Sequence, residues 1–305
     1  MSSVPVIGPA DVTHLLDWTA LCDAMEAAHL GPRAEIGDTF LSRAEDTLLS
    51  RSAWVEGLGV GVKSVTVLPG NPAAGRPTVQ GAMLVFDDST GTPRALIDNA
   101  LITRWKTAAD SVLGARFLAR AGGKCLLVIG AGAVADALIE AYRAVLGIER
   151  VMVWNRTPSR ADALCETHGA ERVDDLPAAV WQADIVATAT LSKTPVLAGA
   201  DLLPGQHVDL IGAFTSDMRE ADDALLLRGR LFVDARETTL HHIGELKIPL
   251  AAGVIKEADV LGDFHDLARG YVGRQTDEDI TVFKNGGGAH LDLITADVIL
   301  RAAGL

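Results

Sequence analysis

Residues 125–135 read CLLVIGAGAVA, a short apolar run that passes straight into Gly130-Ala131-Gly132-Ala133-Val134-Ala135. An unbroken apolar strand followed by a G-x-G-x-x-A pattern that opens a helix is the arrangement a dinucleotide fold uses to hold pyrophosphate. Glycine pairs between a strand and a helix also make plain tight turns, so the context has to decide. Here the first glycine permits the sharp turn, the second lets pyrophosphate approach the backbone, and Ala135 lets the helix pack closely. The helix N-terminus offers free N–H groups to an anion. Gly130, Ala131, Gly132, Ala133 and Val134 are therefore candidate cofactor residues.

Downstream of this turn the chain alternates. A helix is expected over about 133–146, then the strand VMVWN, a helix over about 159–168, and the strands DIVATAT, HVDLIG and LFVDA. Short apolar strands separated by helical stretches predict a parallel sheet covered on both faces, a Rossmann-type doubly wound α/β domain. Its second strand ends in Asn155-Arg156-Thr157, with Arg160 four residues beyond Arg156. An acidic residue there would accept hydrogen bonds from a ribose 2′-hydroxyl and repel a 2′-phosphate. A neutral amide with two arginines favours NADP(H) over NAD(H), unless the arginines are solvated charges at a helix start.

Upstream the rhythm differs. Residues from about 17 to 30 have helical spacing, with Asp17 as a candidate N-cap and Leu21, Cys22 and Met25 on one face. From Trp54 to Asp98 the chain reads as antiparallel strands, GVGVKSVTVL, TVQGAMLVF and PRALID, with Asp88-Ser89-Thr90-Gly91 as a hairpin turn. A helix is expected from about Asn99 to Arg120, ended by Gly122 and Gly123, and another over 289–305. With 305 residues, 49% of them hydrophobic and 22% charged, the chain has the composition of an ordinary globular protein and is long enough for two cores.

The formal net charge of −13 argues against binding a nucleic-acid backbone or an anionic membrane, both of which need a basic surface. Three scattered cysteines suggest neither a disulfide framework nor a zinc site. No metal is expected. The start of the chain has no leader pattern and no stretch approaches about 18 apolar residues, so a cytoplasmic location is expected.

On the substrate side, strand alternation puts Lys63 on one face with Val65 and Val67, its stem along an apolar surface. It reads either as an anchor for a substrate carboxylate or as an edge lysine that discourages aggregation. Lys106 and Asp110 stand four apart on the polar side of TRWKTAADSVLGARF, which reads on its own as a surface ion pair. Adjacent His241 and His242 read as solvent-facing.

The segments GVKSVTVLPGN, RPTVQGAMLVFD, TRWKTAADS, IGAGAVA, VWNRTPSRA, TATLSKTPVL and IGAFTSDMREADD resemble, in order, those of the ornithine cyclodeaminase and mu-crystallin family, over nearly all of the chain from about Leu58. The resemblance implies a homodimer. It implies a substrate and dimerisation domain over 1–119, joined by 289–305, with the dinucleotide domain, 120–288, inserted and the substrate in a cleft. By that similarity Lys63 holds the substrate carboxylate, Thr78 follows the Pro-containing loop, and Lys106 stands where the family has an arginine touching carboxylate and nicotinamide. An upstream arginine, Arg43 or Arg51, would share the carboxylate. Asn155, Arg156, Thr157 and Arg160 match the NADP-binding form of the motif, and Thr190 in TATLSKTPVL falls in the cofactor region. Cyclodeaminases carry Gly-x-Asp-x-Pro-Gly after the strand corresponding to HVDLIG. Here the chain reads Gly212-Ala213-Phe214, and Phe214 moves no proton. Asp217 is the nearby candidate acid.

The expected activity is therefore NAD(P)H-dependent reduction of a cyclic imino acid, Δ1-pyrroline-2-carboxylate or Δ1-piperideine-2-carboxylate. The alternatives are an NAD-dependent ornithine cyclodeaminase, an alanine-dehydrogenase-like enzyme, and a low-turnover NADPH-dependent binding protein.

Overall fold

The structure is a computed structural model that describes residues 4–305, so the first three residues of the domain expected over 1–119 lie outside it. The chain divides into two compact units. One runs to Lys106 and takes in Gly288–Leu305, and the other is Thr107–Gly287. The division thus falls inside the helix Asn99–Leu118, where the sequence placed it after residue 119.

The first unit is built on a six-stranded sheet. Its strands are β1 (Val6–Ile7), β2 (Glu35–Arg43), β3 (Asp46–Val55), β4 (Gly59–Val67), β5 (Val79–Phe86) and β6 (Pro93–Asp98), in the order β1-β6-β5-β4-β3-β2. All neighbours run antiparallel except β1, which pairs parallel with β6. The helix Trp18–Leu30 starts where Asp17 accepts a hydrogen bond from the Ala20 N–H at 2.8 Å, and it buries Trp18, Leu21, Cys22 and Met25. The C-terminal helix Ala289–Ala302 packs on that helix and on β3 and β4. Gly61 permits this approach, since a Cβ there would lie 3.1 Å from Leu293 and closer still to Met83. Lys63, two residues on, shares the helix-facing side of the sheet. Because β4 is flanked by β3 and β5, the edge-lysine reading fails.

The second unit holds an eight-stranded, wholly parallel sheet. Its strands are β7 (Cys125–Ile129), β8 (Arg150–Trp154), β9 (Glu171–Arg172), β10 (Ile185–Thr188), β11 (His207–Leu210), β12 (Arg230–Val233), β13 (Val260–Gly262) and β14 (Thr281–Lys284). Their order is β13-β12-β14-β11-β10-β7-β8-β9. From β7 the chain winds one way to β8 and β9 and the other way to β10 and β11. The crevice beyond the carboxyl ends of β7 and β10 is therefore a topological switch point. Apart from the edge strand β9, whose two residues are exposed, the strands are largely buried, and the helix Ala133–Leu146 lays Ala135, Leu138, Ile139 and Tyr142 against the core. Among the described residues no helix is long and apolar enough to cross a membrane.

Candidate functional site

At the switch point the second unit carries a pocket of about 260 Å³. Three strand-end loops line it: Gly130, Ala131 and Gly132 after β7, Asn155, Arg156, Thr157 and Arg160 after β8, and Ala189, Thr190, Leu191 and Ser192 after β10. Gly130 has φ +128°, and a Cβ there would sit 2.4 Å from the Ala189 carbonyl oxygen, so glycine is required. At Gly132 a Cβ would meet no protein atom within 4 Å, so a side chain would project into the space left for a ligand. Gly132 is also the N-cap of the Ala133–Leu146 helix, and no side chain caps it. An open backbone cradle at a helix N-terminus fits a pyrophosphate. Ala133 and Val134 form the first turn of that helix rather than the pocket lining.

The Asn155 side-chain amide donates to the Thr157 carbonyl at 2.9 Å and fixes the turn after β8. Arg156 and Arg160 are exposed at the pocket wall, and among the described residues neither forms an ion pair. Thr190 lines the pocket, but its N–H and its hydroxyl both donate to Glu220 Oε1 at 2.7 Å. It therefore shapes the wall and has no donor left for a ligand.

Behind that wall lies a buried polar layer that the sequence reading missed. Glu220, Glu245, Asp234, Asp209 and Lys284 are all essentially inaccessible. The Lys284 ammonium donates to the carbonyls of Leu210 and Asn285 at 2.9 and 2.7 Å, and its burial drives its pKa down against the pull of Glu245 and Glu220. Burial likewise raises Glu245, which accepts the backbone N–H groups of Glu220 and Ala221 at 2.7 and 3.0 Å. Asp209, bonded by the Tyr142 hydroxyl at 2.9 Å, is pushed up to about 7 by desolvation.

In the first unit, Lys63 Nζ lies 2.6 Å from Asp292 Oδ2, with the two side chains 11% and 1% exposed. Asp292 comes from the C-terminal helix and has no signal in the local sequence. Burial pushes the Lys63 ammonium below its ordinary value, Asp292 opposes this, and the neighbouring Lys106 and Arg51 push it down further. Arg51 stands directly opposite Lys63 in the β3–β4 ladder, so the two side chains share a face. Arg51 also holds Asp38 through Nε and Nη2, with contacts of 3.0–3.2 Å.

The two candidate arginines are thereby told apart. Arg43 is 86% exposed at the end of the β2–β3 hairpin, paired with Asp46, and is not brought to Lys63. Thr78 ends the β4–β5 loop, where its carbonyl accepts the Leu68 N–H at 2.8 Å. It stands beyond the strand from Met83, the residue opposite Lys63. Lys106 is 6% and Asp110 0% exposed, so the expected surface ion pair is corrected to two buried charges. Helical spacing alone does not show which side of a fully packed helix is wet. Trp105 beside Lys106 stacks on Trp18 with ring centroids 3.9 Å apart.

Asp217 is exposed, 2.7 Å from Lys193 Nζ, and its Oδ1 accepts the Thr215 hydroxyl at 2.6 Å. The Lys193 hydrogen bond and then that of Thr215 hold its carboxyl below the usual range, which suits a carboxylate and not a proton donor. Phe214 is 60% exposed. His241 and His242 are exposed as expected, His241 lying 3.2 Å from Glu257. One group of possible metal ligands occurs among the described residues, Asp136, Glu140 and His168. His168 Nε2 lies 2.7 Å from Asp136 Oδ1, a hydrogen-bonded contact that ties two helices together.

A parallel sheet with a pyrophosphate cradle at its switch point places the chain in the class of dinucleotide-fold proteins, and the second sheet adds a buried cluster of cations. Residues 52–303 match the model of the ornithine cyclodeaminase/mu-crystallin family, and the chain belongs to that family. It is 56% identical over 308 residues to a Delta(1)-pyrroline-2-carboxylate reductase of Paracoccus denitrificans (strain Pd 1222), covering 98% of each chain. Among solved structures it is similar to the Delta(1)-pyrroline-2-carboxylate reductase of Thermococcus litoralis in complex with NADH and L-proline. There the TM-score is 0.92 at 28% identity, covering 98% of this chain and 97% of the other. An archaeal alanine dehydrogenase dimer with bound NAD gives a TM-score of 0.90 at 29% identity, covering 98% and 96%.

Proposed function

We propose that the protein is an NADPH-dependent reductase of Δ1-pyrroline-2-carboxylate, forming proline. The observation that carries the reading is the pairing of Lys63 and Arg51 on one face of a central strand, with Lys63 held against Asp292 and Lys106 near enough to act on its charge. Neighbouring like charges disfavour the Lys63 ammonium, and a bound carboxylate relieves that repulsion. Lys63 and Arg51 hold the substrate carboxylate, and Lys106 adds a third positive charge. Asp292 holds Lys63 in place and opposes the loss of its proton.

Gly130–Gly132 would hold the pyrophosphate of a nicotinamide dinucleotide and Arg156 and Arg160 its 2′-phosphate, and the bound cofactor would supply hydride for the imine carbon. The imine nitrogen takes its proton from water before binding, so the reaction needs no acid at position 214 or 217. One NADPH, one imino acid and one proton give one proline and one NADP+. Holding the reactants in position supplies most of the rate enhancement. Neither Phe214 nor the ion-paired Asp217 suits the proton transfers of a cyclodeaminase.

The same reading takes the protein as a homodimer, supported by the apolar residues Phe40 and Leu41, 61% and 62% exposed on β2. Its three free cysteines suit the reducing cytoplasm. Steady-state NADPH oxidation with five- and six-membered ring imino acids tests the activity. The expected result is turnover with proline as product from the five-membered ring. Absence of oxidation with both rings refutes it.

A further inference from the structure

One carboxylate of the buried layer, that of Glu220, stands directly behind one wall of the nucleotide pocket, and every group that meets it through a hydrogen bond is a donor. Where β10 and β11 end, the ladder runs out: the Gly212 N–H still reaches the Thr188 carbonyl at 3.2 Å, while the N–H groups of Thr190 and Ala213 turn to a side chain instead. Glu220 takes them up. Its Oε1 accepts the N–H and the hydroxyl of Thr190, both at 2.7 Å. Its Oε2 accepts the Thr188 hydroxyl at 2.7 Å, the Gly212 N–H at 2.6 Å and the Ala213 N–H at 3.3 Å. The Glu220 carbonyl accepts the N–H groups of Val196 and Leu197 at 2.8 and 2.9 Å. Thr190 and Val196 both line the pocket.

The fit is tight. A Cβ at Gly212 would lie 2.5 Å from Glu220 Oε1 and closer still to the Thr190 carbonyl oxygen. Glutamine cannot replace this carboxylate, because its amide presents two hydrogens on one side. Whichever way it turns, those hydrogens meet the fixed N–H of Thr190 or of Gly212.

We propose that Glu220 is a positioning residue for the nucleotide, fixing the loop after β10 from behind so that the pocket keeps its bound shape before the ligand arrives. The proposal rests on the reading that this pocket takes a dinucleotide. It adds that the affinity depends on a buried negative charge that never touches the ligand.

The test uses Glu220→Gln and Thr188→Val. Thr188 is fully buried, is absent from the pocket lining, and donates to Glu220 Oε2, so its loss reaches the ligand only through the carboxylate. NADPH binding is followed by the fluorescence of the bound nucleotide, and steady-state kinetics separate KM from kcat. For E220Q the dissociation constant and the KM for NADPH are expected to rise about tenfold, with kcat at saturating NADPH within about threefold of wild type. For T188V the dissociation constant is expected to rise about threefold.

A lowered melting temperature with unchanged NADPH affinity in both variants would mark Glu220 as a purely structural residue and overturn the proposal. If E220Q does not fold, T188V decides alone. A threefold loss of affinity upholds the role, and affinity within twofold of wild type overturns it. Wild-type protein that binds neither NADPH nor NADH refutes the dinucleotide reading itself. Wild-type binding with unaffected variants refutes only the role of Glu220.

Discussion

The two units handle buried charge in opposite ways. In the parallel-sheet unit the acidic Glu220 receives donors on both oxygens, and its neighbour Glu245 receives two more. These charges are satisfied internally and serve to hold loops. In the antiparallel-sheet unit Lys63 meets Asp292 but also faces Arg51 and Lys106, which depress it. Burial, opposed by Asp292, depresses the Lys63 ammonium first, and the like charges of Lys106 and Arg51 add to it, so an incoming carboxylate would stabilise the charged form. The comparison separates carboxylates met by loop donors from cations that already have acidic partners, Asp292 for Lys63 and Asp38 for Arg51, and that an added anion would stabilise further.

Breaking the recognition side gives the largest expected effect. With Lys63 in its proposed role of holding the substrate carboxylate, Lys63→Met should lower kcat/KM for the imino acid about 100-fold, with NADPH affinity within about twofold of wild type. Equal losses of NADPH affinity and substrate affinity, measured by titration and initial rates, would dissolve the distinction between the units.

On the nucleotide side, replacing Arg156 and Arg160 together by alanine should cut the preference for NADPH over NADH about 30-fold, read as the ratio of the two dissociation constants. An unchanged ratio would return both arginines to solvated surface charge.

The smallest effect concerns pH. The Lys63 ammonium is charged below its pKa and neutral above it, and burial lowers that pKa from 10.5. Substrate affinity should therefore fall on the alkaline side at a pH below 10.5, while Lys63→Arg, which stays protonated, should move that fall to higher pH. A profile of KM against pH that is identical in the two proteins would remove Lys63 from carboxylate binding.

How much of this was legible in the sequence follows from how far apart the parts lie in the chain. The nucleotide turn is contiguous, since strand, glycines and helix start fall within residues 125–135, and the structure keeps that order with β7 ending at Ile129 and the helix starting at Ala133. The helix at Asp17 was equally readable because its cap and its apolar face are local. Strands β2 and β3 were missed. All nine residues of β2 are exposed, so no burial alternation marks it as a strand. β14 escaped because it is four residues long and ends in Lys284, which reads as a surface residue although it is fully buried.

In the recognition cluster Lys63 was legible as an oddly placed charge, but its partners were not. Arg51 is set beside it by hairpin register and Asp292 by the packing of a distant helix. Glu220 sits in the run READD, where nothing local distinguishes the one carboxylate that turns inward from its acidic neighbours Asp222 and Asp223.

The proposed activity is direct hydride transfer from NADPH to the imine carbon of Δ1-pyrroline-2-carboxylate. The most direct measurement is turnover with NADPH deuterated at the nicotinamide C4 position, with the proline formed analysed by mass spectrometry and NMR. The account predicts one deuterium per molecule at the α-carbon when the reactive face is labelled, with one NADPH consumed for each proline. Proline that forms without NADPH consumption, or that never carries the label at the α-carbon with either face deuterated, would contradict it.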